Sequence, residues 1–412
     1  MATIRPFAGL RPDPAAAARV AALPYDVYNR TEALREAERE PLSFLKIDRA
    51  EVHFGPEVSA YDSRVYEKAA ALLQEAEREG IFIREEEPCL YLYELTREGR
   101  RQTGVVGCAA VDDYLTGVVK KHENTRADKE EDRVRHVEAC GAQTGPIFLA
   151  CRSFGNLRAV LKESKKAKPL YDFVSPDGIG HRIFKIAEPD QIQAITEGFA
   201  AMPALYIADG HHRAASAVRA ALRRRKACPC YTGKEEWNYF LSVVFCAEEL
   251  RILSYNRVVR DLNGLTPGAF LECLNEKCQV TGCGEKEVRP QAKGEIGLYL
   301  AGSWYHLAVR PQWLSADPVE GLDVAFLQRE ILAPYLGIGD PRTDSRIDFV
   351  GGIRGLSELK RRCETDMAAA FAMYPTDIGE LFAVADAGLL MPPKSTWFEP
   401  KLRSGLLIHK ME

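Results

Sequence analysis

The stretch Leu205–Arg225 leaves this chain the fewest choices. Ala204-Leu205-Tyr206-Ile207 is an apolar run of strand length, Asp209-Gly210 breaks it, and from Ala214 an Ala- and Arg-rich run of good helix formers follows. Strand, break and helix in that order place His211, His212 and Arg213 at a turn, at or just before the helix N-terminus. Free backbone N–H groups and the positive end of the helix dipole converge there, and a phosphate docks readily at such a point. Gly210 lets the backbone approach a ligand closely. Arg213 offers a planar fork of donors to phosphate oxygens. Asp209 puts a carboxylate beside this positive site, which suits a metal ion or a hydroxyl group. The same residues also read as a plain helix start with surface histidines, but two charged side chains and a glycine gathered at the junction favour a site.

A second polar stretch, Lys120–Arg133, follows the apolar run Tyr114–Val119. His122-Glu123-Asn124-Thr125 is rich in donors and acceptors and falls between a strand and a helix, as a site requires. From Ala127 onward, opposite charges at i,i+4 predict a solvated, salt-bridged helix. Upstream, Pro24-Tyr25-Asp26-Val27 is an extended or turn segment held by its proline; it reads either as a packed N-terminal clip or as a segment from which Asp26 reaches a polar site. Downstream, Met391–Lys401 has no regular period, and Lys394-Ser395-Thr396 sits between prolines. It reads as a clamp on phosphate or as a tail packed across the fold. The glycines and arginines of Arg346–Gly355 read either as an anion-binding loop or as a strand–turn–helix connection.

The remaining elements alternate. Leu42–Ile47, Cys89–Leu95, Thr103–Val111, Arg182–Ile186, Tyr239–Ala247 and Ile252–Val259 read as strands, and Tyr61–Glu79 and Pro189–Phe199 as helices. Tyr91–Val111 forms a hairpin turning at Glu98-Gly99-Arg100. The pattern is antiparallel rather than strict βαβ, so the expected class is α+β (mixed α/β). Beyond about Gly264 the character changes to a small α+β module. We therefore expect a core over residues 1–262 and a C-terminal module over 263–412, its tail returning to the site.

The totals narrow the function. A formal net charge of −4 gives no electrostatic case for nucleic-acid binding. No apolar stretch approaches the length of a membrane span, and the N-terminal residues lack a signal core. The eleven cysteines lack the paired spacing of a structural zinc site. A cytoplasmic enzyme with reduced thiols is the expectation.

Ala208–Arg213, ADGHHR, resembles the phosphate-binding signature of the ParB/sulfiredoxin superfamily, a strand–turn–helix carrying Gly-x-x-Arg. The Asp-Gly-His-His-Arg form is similar to that of the free serine kinases in that superfamily. These also carry an upstream His-Glu pair whose Glu acts as base, matched here by His122-Glu123. Sulfiredoxin chemistry needs a thiol where His211 stands. Over nearly its full length the chain resembles the DUF1015 family, through PYDV (Pro24–Val27), HENT (His122–Thr125), ADGHHR, a strand ending Arg257-Val258-Val259, and MPPKST (Met391–Thr396).

The resemblance implies a ParB/sulfiredoxin-like core with inserted segments. It further implies a kinase converting free L-serine to O-phosphoserine with ATP, ADP or pyrophosphate as donor and Mg²⁺ as companion ion. Gly210, His211, His212 and Arg213 would then hold the donor phosphates, joined by Lys394, Ser395 and Thr396. Glu123, Asp209 and His212 would do the chemistry, with Asp209 also the metal ligand. His122, Asn124, Thr125 and Asp26 would hold the acceptor. The alternative it leaves is a ParB-like nucleotide-binding regulatory switch. A homo-oligomer stays open in either case.

Overall fold

Glu98 and Gly99 both take positive φ, 51° and 79°, the backbone a two-residue hairpin loop requires. They join β1 (Leu90–Arg97) to β2 (Arg100–Ala110) in register from Tyr91 opposite Val106 to Arg97 opposite Arg100. This hairpin is the middle of the first of two large sheets in a computed structural model that describes residues 1–412. The chain divides into two units. One comprises Met1–Lys121, Thr125–Leu250 and Pro400–Glu412; the other comprises His122–Asn124 and Arg251–Glu399. The class is mixed α+β.

The sheet of the first unit also contains β3 (Val119–Lys120), β4 (Ile147–Cys151), β5 (Tyr171–Val174), β6 (Gly180–Ile186), β7 (Leu205–Asp209) and β8 (Tyr239–Cys246). Its spatial order is β3-β7-β4-β8-β2-β1-β6-β5, with Ile4–Arg5 also paired to β2. Only β7 with β3 and β8 with β4 run parallel; the other neighbours are antiparallel. Helices α1 (Ser63–Arg78), α2 (Ala127–Cys140), α3 (Pro189–Ala200) and α4 (His211–Ala227) accompany it. The small residues of α4, among them Ala214, Ala217 and Ala221, are buried in the same apolar cluster as Leu149, Ile207 and Val244 of the sheet. Their short side chains bring the helix axis close to the strands. A separate cluster joins Phe44, Leu45 and Leu73 to Ile408 near the end of the chain.

Two expectations need correction here. Leu42–Ile47 is not a strand: Leu45–Asp48 is a helical turn, with the Phe44 N–H donating to the Val20 carbonyl. A short apolar run has no period that separates strand from helix. Helix α2 forms as expected, but it is not simply solvated, because Asp132, Arg133 and His136 are buried.

In the second unit, β9 (Tyr255–Val259), β10 (Cys278–Gly284), β11 (Glu295–Leu300), β12 (Ser303–Val309), β13 (Ile347–Gly351) and β14 (Ala369–Met373) form an antiparallel sheet. Its order is β10-β12-β11-β14-β9-β13. Because β9 pairs with β13 and β14, the division falls at Leu250, ahead of the position 262 expected from composition. The Gly351-Gly352 pair is a close-packing device: a Cβ on Gly351 would lie 2.7 Å from the Trp397 ring, and one on Gly352 2.6 Å from the Ser254 hydroxyl. The stretch Arg346–Gly355 is thus the strand–turn–helix connection, leading into α5 (Gly355–Thr365). No helix of the structure is long and apolar enough to cross a membrane.

Candidate functional site

Strand β7 ends at Asp209, Gly210 takes φ 91° and ψ 33°, and α4 begins at His211. That left-handed conformation is the one glycine adopts without strain. Gly210 is the N-cap of α4 and has no side chain with which to cap the helix. The Gly210 N–H donates to Asp209 Oδ1 at 2.8 Å. Arg213 folds back over the turn: a Cβ on Gly210 would meet its Nε at 3.0 Å, and its Nη1 donates to the Pro146 carbonyl at 2.6 Å. Sequence spacing placed these four neighbours correctly at a strand–helix junction.

Lys401 was not foreseen. Its Nζ donates to Asp209 Oδ2 at 2.8 Å, with the two side chains 14% and 25% exposed. Burial pushes the Asp209 carboxyl up, but Lys401 and then Arg213 outweigh it and hold the group well below the usual carboxylate range. Asp209 is therefore ionised, with one oxygen on a backbone N–H and the other on an ammonium. Both Asp209 oxygens are thus engaged within the protein.

His212 ties two helices together. Its Nε2 accepts the Arg126 backbone N–H at 3.0 Å, so that nitrogen is unprotonated and its lone pair is engaged. The ring pins the start of α2 to the start of α4. Thr125 is likewise engaged, its hydroxyl donating to Glu130 Oε2 at 3.0 Å. His211 is buried in the first turn of α4.

A narrow cleft is lined by Arg213 together with Tyr25, Asp48, Arg133, Thr144 and Ser404, among others. Arg133 is 2.9 Å from Asp132, and its guanidinium lies 4.1 Å from the centre of the Tyr25 ring. Burial would lower the Arg133 pKa; Asp132 and Tyr25 more than offset it, and the group stays charged. His136 is pushed down by burial and then by Arg133, so it is neutral near pH 7. The Tyr25 phenol is pushed up by burial, against the pull of Arg133, and stays protonated. Thr144 donates to Asp48 Oδ1 at 2.7 Å. Two guanidiniums, a phenol and hydroxyls around a cleft suit an anion. Asp26 itself is exposed, and its neighbour Tyr25 is the residue that reaches the cleft.

The other expected residues belong to the second unit. His122 is buried, and its carbonyl accepts the Met391 N–H at 2.8 Å. Glu123 is partly exposed and Asn124 exposed. Lys394 is exposed with φ 58°, and its ammonium lies 5.8 Å from the centre of the Tyr255 ring. The Ser395 hydroxyl donates to the Pro392 carbonyl at 2.6 Å, and the Ser395 carbonyl accepts from Thr376 at 2.9 Å. Thr396 is partly buried beside them.

Residues 4–325 match the family model described as a protein of unknown function, DUF1015. The chain belongs to the DUF1015 family. No curated protein matches this DUF1015 chain. Among solved structures it is similar to a free serine kinase in complex with AMP, at 14% identity and a TM-score of 0.35 over 72% of this chain and 86% of that one. It is similar to SbnI with a C-terminal truncation from Staphylococcus aureus, at 14% identity and a TM-score of 0.37 over 72% and 85%. It is also similar to a conserved hypothetical protein from Pyrococcus furiosus, at 13% identity and a TM-score of 0.34 over 73% and 93%.

Proposed function

We propose that this DUF1015 protein is a small-molecule phosphotransferase that phosphorylates the hydroxyl of free L-serine, taking the phosphoryl group from a nucleotide or pyrophosphate. The observation that carries the reading is the glycine-led start of α4, with Arg213 folded over Gly210 and lining, with Arg133, one cleft. Phosphoryl transfer asks the protein mainly for positioning and charge neutralisation, which this junction supplies with backbone N–H groups, a guanidinium and the helix dipole. Lys401 and Asp209 form a fixed ion pair beside it and keep the turn in shape. The serine oxygen attacks the terminal phosphorus, the P–O bond to the donor's leaving group breaks, and the hydroxyl proton passes to a base. The motif resemblance assigns that base to Glu123, in the HENT segment His122–Thr125.

The test is a phosphoryl-transfer assay with free serine, run beside donor hydrolysis without it. Arg213→Ala should weaken donor binding about ten- to a hundredfold, the usual effect of losing a charge-assisted bidentate contact, as read by calorimetric titration. Glu123→Gln should leave donor affinity unchanged and reduce turnover about 10²–10⁴-fold. Serine-independent hydrolysis with no O-phosphoserine formed would replace this reading with a nucleotide-dependent switch.

A further inference from the structure

Three arginines are buried: Arg133, Arg257 and Arg403. Arg133 has Asp132 at 2.9 Å, and Arg403 is paired with Asp177. Arg257, 3% exposed on β9, has no carboxylate. Its Nη1 donates to the Tyr255 carbonyl and its Nη2 to the Pro393 carbonyl at 3.4 Å. Its guanidinium lies 5.5 Å from the centre of the Phe349 ring. Carbonyl dipoles and an aromatic face orient a guanidinium but do not cancel its charge, and an uncompensated buried charge is costly. The cost is visible in its protonation, which burial pulls down to about 10, whereas the buried Arg133 is held above its usual value by its acidic neighbour.

The same corner holds a second cation. Pro393, which accepts from Arg257, is followed by Lys394, whose ammonium lies over the Tyr255 ring. The hydroxyl of Ser395 donates to the Pro392 carbonyl. We propose that Arg257, with Lys394, forms an oxyanion subsite in the second unit that takes the phosphate or carboxylate group of a small metabolite. The guanidinium supplies the planar fork such groups match, and a bound oxyanion provides the missing counter-charge.

The test uses the full chain at constant ionic strength, with inorganic phosphate and malonate as probes, read by calorimetry and thermal denaturation. In an Arg213→Ala background, at least one of the two anions should still bind and raise the melting temperature. Adding Arg257→Met should weaken that binding at least tenfold and abolish the shift. A response to phosphate alone assigns a phosphate group, and a response to malonate alone assigns a carboxylate. Equal responses with and without Arg257 would overturn the proposal. If Arg257→Met does not fold, Lys394→Ala in the same background decides: a severalfold loss supports the subsite, and an unchanged response overturns it. Binding is read without turnover and without Arg213, so a failed serine-phosphorylation assay and a failed subsite are separate results.

Discussion

Asp209 shows how much a single side chain can hide from the sequence that carries it. Its neighbours Gly210 and Arg213 were legible because strand, glycine and helix follow one another directly. Its ion-pair partner Lys401 was not, because a contact across nearly half the chain leaves no spacing to read. Arg133 was missed for another reason. The charges of Ala127–Arg133 fit a solvated helix, yet Asp132, His136 and Cys140, with Arg133 and Val137, repeat at helical spacing and turn inward. A polar stripe at the period of an apolar one signals a buried network, and that signal was available. At this scale the Lys401–Asp209 pair makes a clear prediction. Lys401→Ala should destabilise the protein by about 1–3 kcal/mol, since it strands a largely buried carboxylate. Asp209→Asn added to it should recover much of the loss. Urea unfolding of the two variants and of Asp209→Asn alone closes the cycle, and strictly additive effects would show that the pair contributes nothing by its pairing.

Among the elements, those with a strong period or an unambiguous turn were legible. The hairpin of β1 and β2 followed from its Glu98-Gly99 turn, and α3 from its Pro189 start. Leu42–Ile47 was misread because tertiary packing, not local pattern, decides a run that short. The junction of β7 and α4 is the element on which the proposed site depends, and its glycine can be tested directly. Gly210→Ala must hold a side chain at φ 91°, a conformation that costs an L-residue roughly 1–2 kcal/mol. Its Cβ would also press on the Arg213 guanidinium. Donor affinity should fall together with stability, whereas Gly99→Ala, with nothing near its Cβ, should lower stability alone. Equal donor binding in both variants would separate Gly210 from the ligand.

For the molecule as a whole, acid is the informative stress. His181 is fully buried, with Tyr93 at Nδ1 (2.8 Å) and Ser175 at Nε2 (2.9 Å). Burial, and then Arg403, push its pKa down to about 3, while in the unfolded chain it titrates near 6.5. Between those values the unfolded state binds more protons, so this contribution is complete above about pH 6.5 and is lost as pH falls toward 3. The slope is at most about 1.4 kcal/mol per pH unit. Urea midpoints from pH 7 to pH 4 should follow that trend, with a shallower slope in His181→Gln; an identical slope would remove His181 as the cause. Arg403 belongs to the returning segment Pro400–Glu412, which also brings Lys401 to Asp209 and Ser404 to the cleft, and bonds Ile408 to Leu10 and Met411 to Gly141. A ribosome makes that segment only after the whole second unit. The first unit therefore waits, its Asp209 without the Lys401 ammonium and its cleft without Ser404, until that segment is translated, and a chain terminated before Pro400 cannot assemble the site.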